Sequence, residues 1–292
     1  MKRYALLMSA VLVGSATLAR AAITEVNQPD FSNTINLKIN GTAGVVTTGD
    51  GKVMRLTSAT PNQAGSFFSL TTIPATDFSA KFQFRITSPG GPVIAPNTSP
   101  GADGLVFVVQ DVANNVGTGG EGIGYKNILT SIGVEFDTWA NPDQHDPDSN
   151  HMGIDLNGVT DHGVGSPNTL PVAQPFDDGN KWFGWVDYNA TTQILSASGN
   201  QTGTKPGSPM ISRSVNLASI LGSSSAFVGF TSGTGDDFGN HDILSFSFTK
   251  FIPDVPSGVP LPAAATGGLA LMGALALGAG MRKLRGMTKL SV

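Results

Sequence analysis

Cysteine is absent from the 292 residues, so neither a disulfide nor a thiol nucleophile enters the chemistry. A domain of this size buries enough core to stand without disulfides even outside the cytoplasm. Charge is scarce as well, with Asp, Glu, Lys and Arg together at 13% of the chain. The net charge is -4 and the pI lies near 5.5. No basic stripe with interleaved aromatic residues occurs, which excludes the usual electrostatic footprint of a nucleic-acid partner. Between the termini no stretch keeps a 3.6-residue period, and no internal repeat is found. What is abundant is glycine, 37 residues, and proline, 18 residues, in a chain that is 40% hydrophobic. At such low charge these read as turn punctuation and not as disorder.

The two ends differ from the middle. Met1-Lys2-Arg3-Tyr4 is a basic start, Ala5 to Leu18 is apolar, and Ala19-Arg20-Ala21 fits a small-x-small cleavage site. This layout is that of a secretory signal peptide over residues 1–21, cut after Ala21 or Ala22. At the other end, residues 253–258 read as a spacer. Residues 259–286 run Val259-Pro260-Leu261-Pro262-Ala263-Ala264, then an uncharged Ala/Gly/Leu stretch to Met281, then Arg282-Lys283-Leu284-Arg285. A short tail, 287–292, follows. An apolar helix of near 20 residues with a basic end is roughly one bilayer crossing. The three-part layout resembles the PEP-CTERM sorting signal of Gram-negative bacteria in a V-P-L-P-A variant; the Pro-Glu-Pro itself is missing. That resemblance implies an exosortase-type partner, at least transient membrane association through the C-terminal helix, and a final place at the cell surface, outer membrane or extracellular matrix.

Residues 22–252 show short alternating runs separated by turn residues about every ten positions, such as Phe78-Ser79-Ala80-Lys81-Phe82-Gln83-Phe84-Arg85-Ile86 and Ile243-Leu244-Ser245-Phe246-Ser247-Phe248. Many short strands at even spacing predict an all-β sandwich or jelly roll in one domain. Residues 88–102, rich in Pro and Gly, read as a long surface loop and the segment best suited to mobility.

Between Glu135 and His151 the chain places seven potential oxygen or nitrogen ligands, E-F-D-T-W-A-N-P-D-Q-H-D-P-D-S-N-H. A strand period of two puts Glu135 and Asp137 on one face. Two neighbouring carboxylates repel, and a cation between them reverses the sign. Oxygen donors suit calcium; carboxylates joined by an imidazole suit manganese or another transition ion. An EF-hand reading from Asp146 fails, because His151 stands where the turn glycine belongs and Asn157 where the bidentate Glu belongs.

Read position by position, Glu135, Asp137, Trp139, Asn141, Asp146 and His151 resemble the metal motif of the legume-lectin (L-type lectin) family. The resemblance extends over about residues 23–251, including Ala102-Asp103-Gly104-Leu105-Val106-Phe107, Gly120-Glu121-Gly122-Ile123-Gly124 and Val228-Gly229-Phe230-Thr231-Ser232-Gly233. It implies a concanavalin-like jelly-roll β-sandwich that binds carbohydrate without catalysis. It also implies that Glu135, Asp137, Asp146 and His151 hold a manganese-type ion. Calcium would then sit with Asp137, Asp146, the Trp139 carbonyl and the Asn141 side chain. Asp143 and Asp148 are left as solvated bystanders. Asp103, after a cis Ala-Asp peptide, is expected to accept from sugar hydroxyls, with Asn141 and the Gly120–Glu121 turn donating. Asp236 and Asp237 lie where the family sets sugar preference, and Phe238 is a candidate stacking platform.

Two other classes compete. A related jelly-roll glycoside hydrolase needs a second acid that Trp139 and Ala140 do not supply, and no G-x-S-x-G elbow is present for a serine nucleophile. A structural exopolysaccharide or adhesion protein that has lost sugar binding is the third class. His145, His162 and His241 show no paired spacing and are expected at the surface or in turns. The sequence leaves the sugar, and the formation of a homodimer, open.

Overall fold

The computed structural model describes residues 21–115 and 117–251. The expected signal peptide and the expected C-terminal apolar helix both fall outside the described residues. Among the described residues no helix is long and apolar enough to cross a membrane.

Among the described residues sixteen strands follow one another. The first eight are β1 (Ala22–Gln28), β2 (Leu37–Gly41), β3 (Gly44–Thr48), β4 (Gly51–Thr57), β5 (Ala64–Ser69), β6 (Ile73–Pro74), β7 (Phe78–Gly90) and β8 (Gly104–Gln110). The rest are β9 (Ser131–Asp137), β10 (His151–Leu156), β11 (Thr169–Pro171), β12 (Trp182–Asn189), β13 (Ile194–Asn200), β14 (Ile211–Ser214), β15 (Ser225–Gly233) and β16 (Phe238–Phe251). They form two sheets, in the orders β14-β13-β12-β7-β16-β4-β3 and β11-β10-β9-β8-β15-β5-β2. β1 joins the first sheet along β16, and β6 joins β15 of the second. Every pairing is antiparallel, and sequence neighbours often lie in different sheets, which makes the all-β jelly-roll sandwich that the alternation predicted.

The alternation explains the packing. In β7, Phe78, Ala80, Phe82, Phe84 and Ile86 are buried, while Ser79, Lys81, Gln83 and Arg85 point away from the core. Phe82 meets Phe136 and Phe230 edge to face, at ring separations of 5.6 and 4.9 Å, so aromatic rings from both sheets interlock at the centre. β8 and β9 depart from simple alternation because both of their faces are covered. Leu105, Phe107, Val109, Ile132, Val134 and Phe136 face the sandwich core. Val106 and Val108 face a second, smaller cluster with Ile123, Tyr125 and Ile128 from the loop laid over the sheet. Glu135 and Asp137 lie on that covered outer face.

Two local features differ from the expectations. Residues 88–90 are strand, paired through Gly90 to Phe238, and Asn97 is buried with its amide bonded to both backbone groups of Ala140. The segment expected to be a loose loop is therefore a strap over residues 138–141. One short helix, α1 (Leu217–Leu221), is also present, capped by the Asn216 side chain and closed by Gly222. Five residues are too few to register as a 3.6-residue period.

Candidate functional site

β9 and β10 build the floor of the first pocket. Their register sets His151 opposite Asp137 and Gly153 opposite Glu135. A side chain at 153 would be impossible beside this glutamate: a Cβ there would stand 2.2 Å from Glu135 Oε1. On the other flank Gly104 of β8 lies opposite Asp137, with φ of +116° and no room for a Cβ. Glycines on both sides thus make space for two buried carboxylates.

The loop between β9 and β10 folds back on them. The Asn141 N–H donates to Asp146 Oδ2 at 2.7 Å, and the Trp139 N–H donates to Asp137 Oδ1 at 2.6 Å. A single 3₁₀ turn, Pro142–Gln144, lets Gln144 reach inward. Gln144 bonds the Thr160 hydroxyl and the Glu121 carbonyl, and its own carbonyl accepts from the His162 N–H at 2.9 Å.

This last bond brings in a residue expected in a surface turn. The His162 side chain is only 2% exposed, and its Nε2 lies 2.8 Å from Glu135 Oε1 and 3.4 Å from Asp146 Oδ1. His151 Nε2 lies 3.4 Å from the same Glu135 oxygen and 3.8 Å from the same Asp146 oxygen. Two overlapping donor groups result, Glu135 with His151 and His162, and Asp137 with Asp146 and His151. His241, also expected at the surface, is buried within the last strand, β16, with Nδ1 2.6 Å from the hydroxyl of Thr57 on the neighbouring β4. Burial, helped by Arg55, holds its imidazole down at about 3, so it is a neutral core residue. Only His145 is exposed as expected, paired with Asp161.

Electrostatics in the pocket are strongly coupled. Burial, the largest influence, opposes charge on Glu135, yet His151 and His162 together hold it well below the usual carboxylate range. Burial raises Asp137 well above that range and Asp146 to about 6. Burial also opposes charge on the imidazoles, but their acidic neighbours, Asp137 first for His151 and Asp155 first for His162, lift them to about 10 and 11. The His151 Nδ1–H donates to the Asp148 carbonyl at 2.9 Å, which leaves Nε2 directed at the carboxylates. Neither His151 Nε2 nor Glu135 Oε1 makes a hydrogen bond. Buried atoms left this way fit a positive charge between them, whether a proton or a metal ion. Asp143 is exposed as expected, while Asp148 contributes its carbonyl.

Trp139 and Asn141 link this pocket to a cleft of about 290 Å³ lined also by Asp103, Glu121, Gly235, Asp236 and Asp237. The Ala102–Asp103 peptide is cis. Asp103 is 4% exposed, and its Oδ2 has no hydrogen-bond partner. Burial, then Asp237, then Glu121 push its carboxyl up to about 7. Asp237 is buried with its Oδ2 likewise unpartnered, and Asp236 is exposed. Gly120 does not line the cleft; its turn packs behind it, against Gly233. Phe238 is also outside the lining. Its ring lies over Gly90, where an added Cβ would stand 2.5 Å from it. The chemistry this leaves is a fixed acceptor, Asp103, beside an amide, Asn141, with an indole at the rim.

A family model for the legume lectin domain matches residues 24–257. Among curated relatives, the L-type lectin-domain containing receptor kinase VIII.1 of Arabidopsis thaliana is 29% identical over 239 residues, covering 80% of this chain and 31% of the kinase. The chain therefore spans about a third of the receptor kinases it matches. The basic agglutinin of Psophocarpus tetragonolobus is 34% identical over 195 residues, covering 63% of this chain and 73% of the agglutinin. Of the solved structures, the basic winged bean lectin with Tn-antigen superposes with a TM-score of 0.63 at 29% identity, over 78% of this chain and 98% of the lectin. Winged bean acidic lectin complexed with methyl-α-D-galactose gives 0.63 at 25% identity, over 80% and 100%.

Proposed function

The chain belongs to the legume lectin domain family, and from that premise we propose that it binds glycan in the cleft under Asp103, beside a loop held by metal ions. The domain is a carbohydrate-binding one without catalysis, as its family and lectin relatives are. The observation that carries the choice of cleft is the buried, unpartnered Asp103 oxygen beside Asn141. A desolvated carboxylate oxygen without a donor is costly in the free protein and accepts strongly from sugar hydroxyls. Asn141 donates its amide N–H when its oxygen is engaged by a cation, and the Trp139 indole offers an apolar edge at the rim. Asp236 and Asp237 would set which hydroxyl geometry is accepted.

The donor chemistry fits the metals that the motif implies. Glu135, Asp137, Asp146 and His151 would hold a manganese-type ion; Asp137, Asp146, the Trp139 carbonyl and Asn141 would hold calcium. When bound, the ions supply positive charge to the buried carboxylates and fix the loop. Ordering is then spent before sugar arrives.

A glycan array with and without chelator tests this, run beside Asp103→Ala and Asn141→Ala. Galactose-type sugars come first, since the solved relatives named above carry Tn-antigen and methyl-α-D-galactose. Loss of binding on chelation and in both variants is expected. Binding that survives chelation and Asp103→Ala would sink the site.

The terminal segments support an exported, surface- or matrix-associated protein of a Gram-negative bacterium, sorted by an exosortase-type enzyme. Mass spectrometry of the mature protein should find the N-terminus at Ala22 or Ile23. An intact Met1 on surface-exposed protein would contradict that reading.

A further inference from the structure

We propose that His162 is a direct ligand of the transition ion, making that site a two-imidazole one that favours zinc, cobalt or nickel over manganese more strongly than a one-imidazole site does. This rests on the metal-dependent reading above and adds a residue that the six-position motif does not contain. Four side-chain atoms converge: Glu135 Oε1, Asp146 Oδ1, His151 Nε2 and His162 Nε2, with nitrogen-to-oxygen separations of 2.8, 3.4, 3.4 and 3.8 Å. Glu135, His151 and His162 each offer one donor atom within 4.8 Å of the other two, so these three can share one small cation, with Asp146 beside them. Two of the four atoms, Glu135 Oε1 at 1% and His151 Nε2 at 0% side-chain exposure, are buried without a hydrogen-bond partner. They point to a ligand from the protein's own side, independently of the number of acids nearby.

His162 is held as a ligand would be. Its backbone N–H is bonded to Gln144 of the metal loop, and its Nδ1 faces Asp155 Oδ1 at 3.4 Å. A carboxylate behind the far ring nitrogen fixes the tautomer that turns the near lone pair to the metal. Its counterpart for His151 is the Asp148 carbonyl. Both imidazoles are thus oriented from behind, their rings perpendicular with centroids 5.6 Å apart. A second imidazole in place of an oxygen donor moves a site along the divalent series away from manganese.

The test uses the full chain, stripped of metal and reloaded. Copper(II) loading with pulsed electron paramagnetic resonance counts bound imidazoles; competition titrations give the zinc-to-manganese affinity ratio. The wild type should show two imidazoles and His162→Gln one. The ratio should drop at least about tenfold in His162→Gln, and zinc affinity should fall about 10- to 100-fold in Asp155→Asn, which keeps the ligand but loosens its support. A wild-type spectrum with one imidazole, or an unchanged ratio in His162→Gln with its circular dichroism intact, overturns the proposal while leaving calcium and manganese binding standing. A wild type that binds no divalent ion overturns this proposal together with the reading beneath it.

Discussion

Two acidic pockets lie side by side in this domain and balance their charge in opposite ways. In the loop pocket, Glu135, Asp137, Asp146 and Asp155 face two imidazoles, His151 and His162, all within a few ångströms. In the cleft, Asp103 and Asp237 are buried beside Glu121, and no cationic side chain lines it among the described residues. The first arrangement sets imidazoles against its carboxylates, which stabilises the charge on Glu135, and is suited to a cation. The second leaves a carboxylate oxygen unsatisfied at the cost of folding energy, which is what a site awaiting hydroxyl donors requires.

The largest expected effect comes from breaking the compensated side. Glu135→Ala removes the carboxylate that two buried imidazoles share, leaving Asp137 to His151 and Asp155 to His162, so the metal-free protein should lose about 1–3 kcal/mol in urea denaturation. Asp103→Ala should do the reverse on the other side. It should lower glycan affinity by about 10- to 100-fold in calorimetry while leaving stability unchanged or raised, because a charged hydrogen bond to ligand is lost and a buried unpaired charge is removed.

Much of this contrast was legible beforehand, and the rest was hidden for definite reasons. The alternation of Glu135 and Asp137 and the spacing to Asp146 and His151 are local, so the motif marked them. Asp155 also carried a signal, since His151, Gly153 and Asp155 share one strand face. His162 did not: it lies past β10 in an irregular segment, and its inward position depends on the Gln144 carbonyl and on Glu135 and Asp155, none of them adjacent to it in sequence. His241 looked like a loop-flanking residue because the final strand begins earlier than its hydropathy suggests, at Phe238. The Pro- and Gly-rich stretch 88–102 looked loose because the bonds from Asn97 to Ala140 span 43 positions in sequence. The sandwich itself was readable because burial follows strand parity in β7, yet nothing in parity foretold that β8 and β9 would be covered on both faces.

A pH series sharpens the comparison at smaller amplitude. Asp103 sits near 7 in the folded chain and near 3.9 unfolded. Below both values the group is protonated in either state and contributes nothing. As pH rises from about 4 to about 7 the unfolded chain ionises first, so metal-free wild type should lose stability relative to Asp103→Asn, and the difference should level off above about 7. A flat difference across that window in chemical denaturation would remove Asp103 from the uncompensated side. The smallest effect is expected at Phe238. Its ring lies on Gly90 and not in the cleft, so Phe238→Ala should cost about 1 kcal/mol of stability and leave glycan affinity within about twofold.

The central claim is that the cation-holding pocket prepares the cleft through the loop from Trp139 to Asp146. It is tested most directly by titrating one responsive sugar into the same sample twice, first stripped of metal and then with calcium restored. Sugar affinity that is lost on stripping and returns in proportion to bound calcium is the predicted result. Equal affinity in both titrations would contradict it.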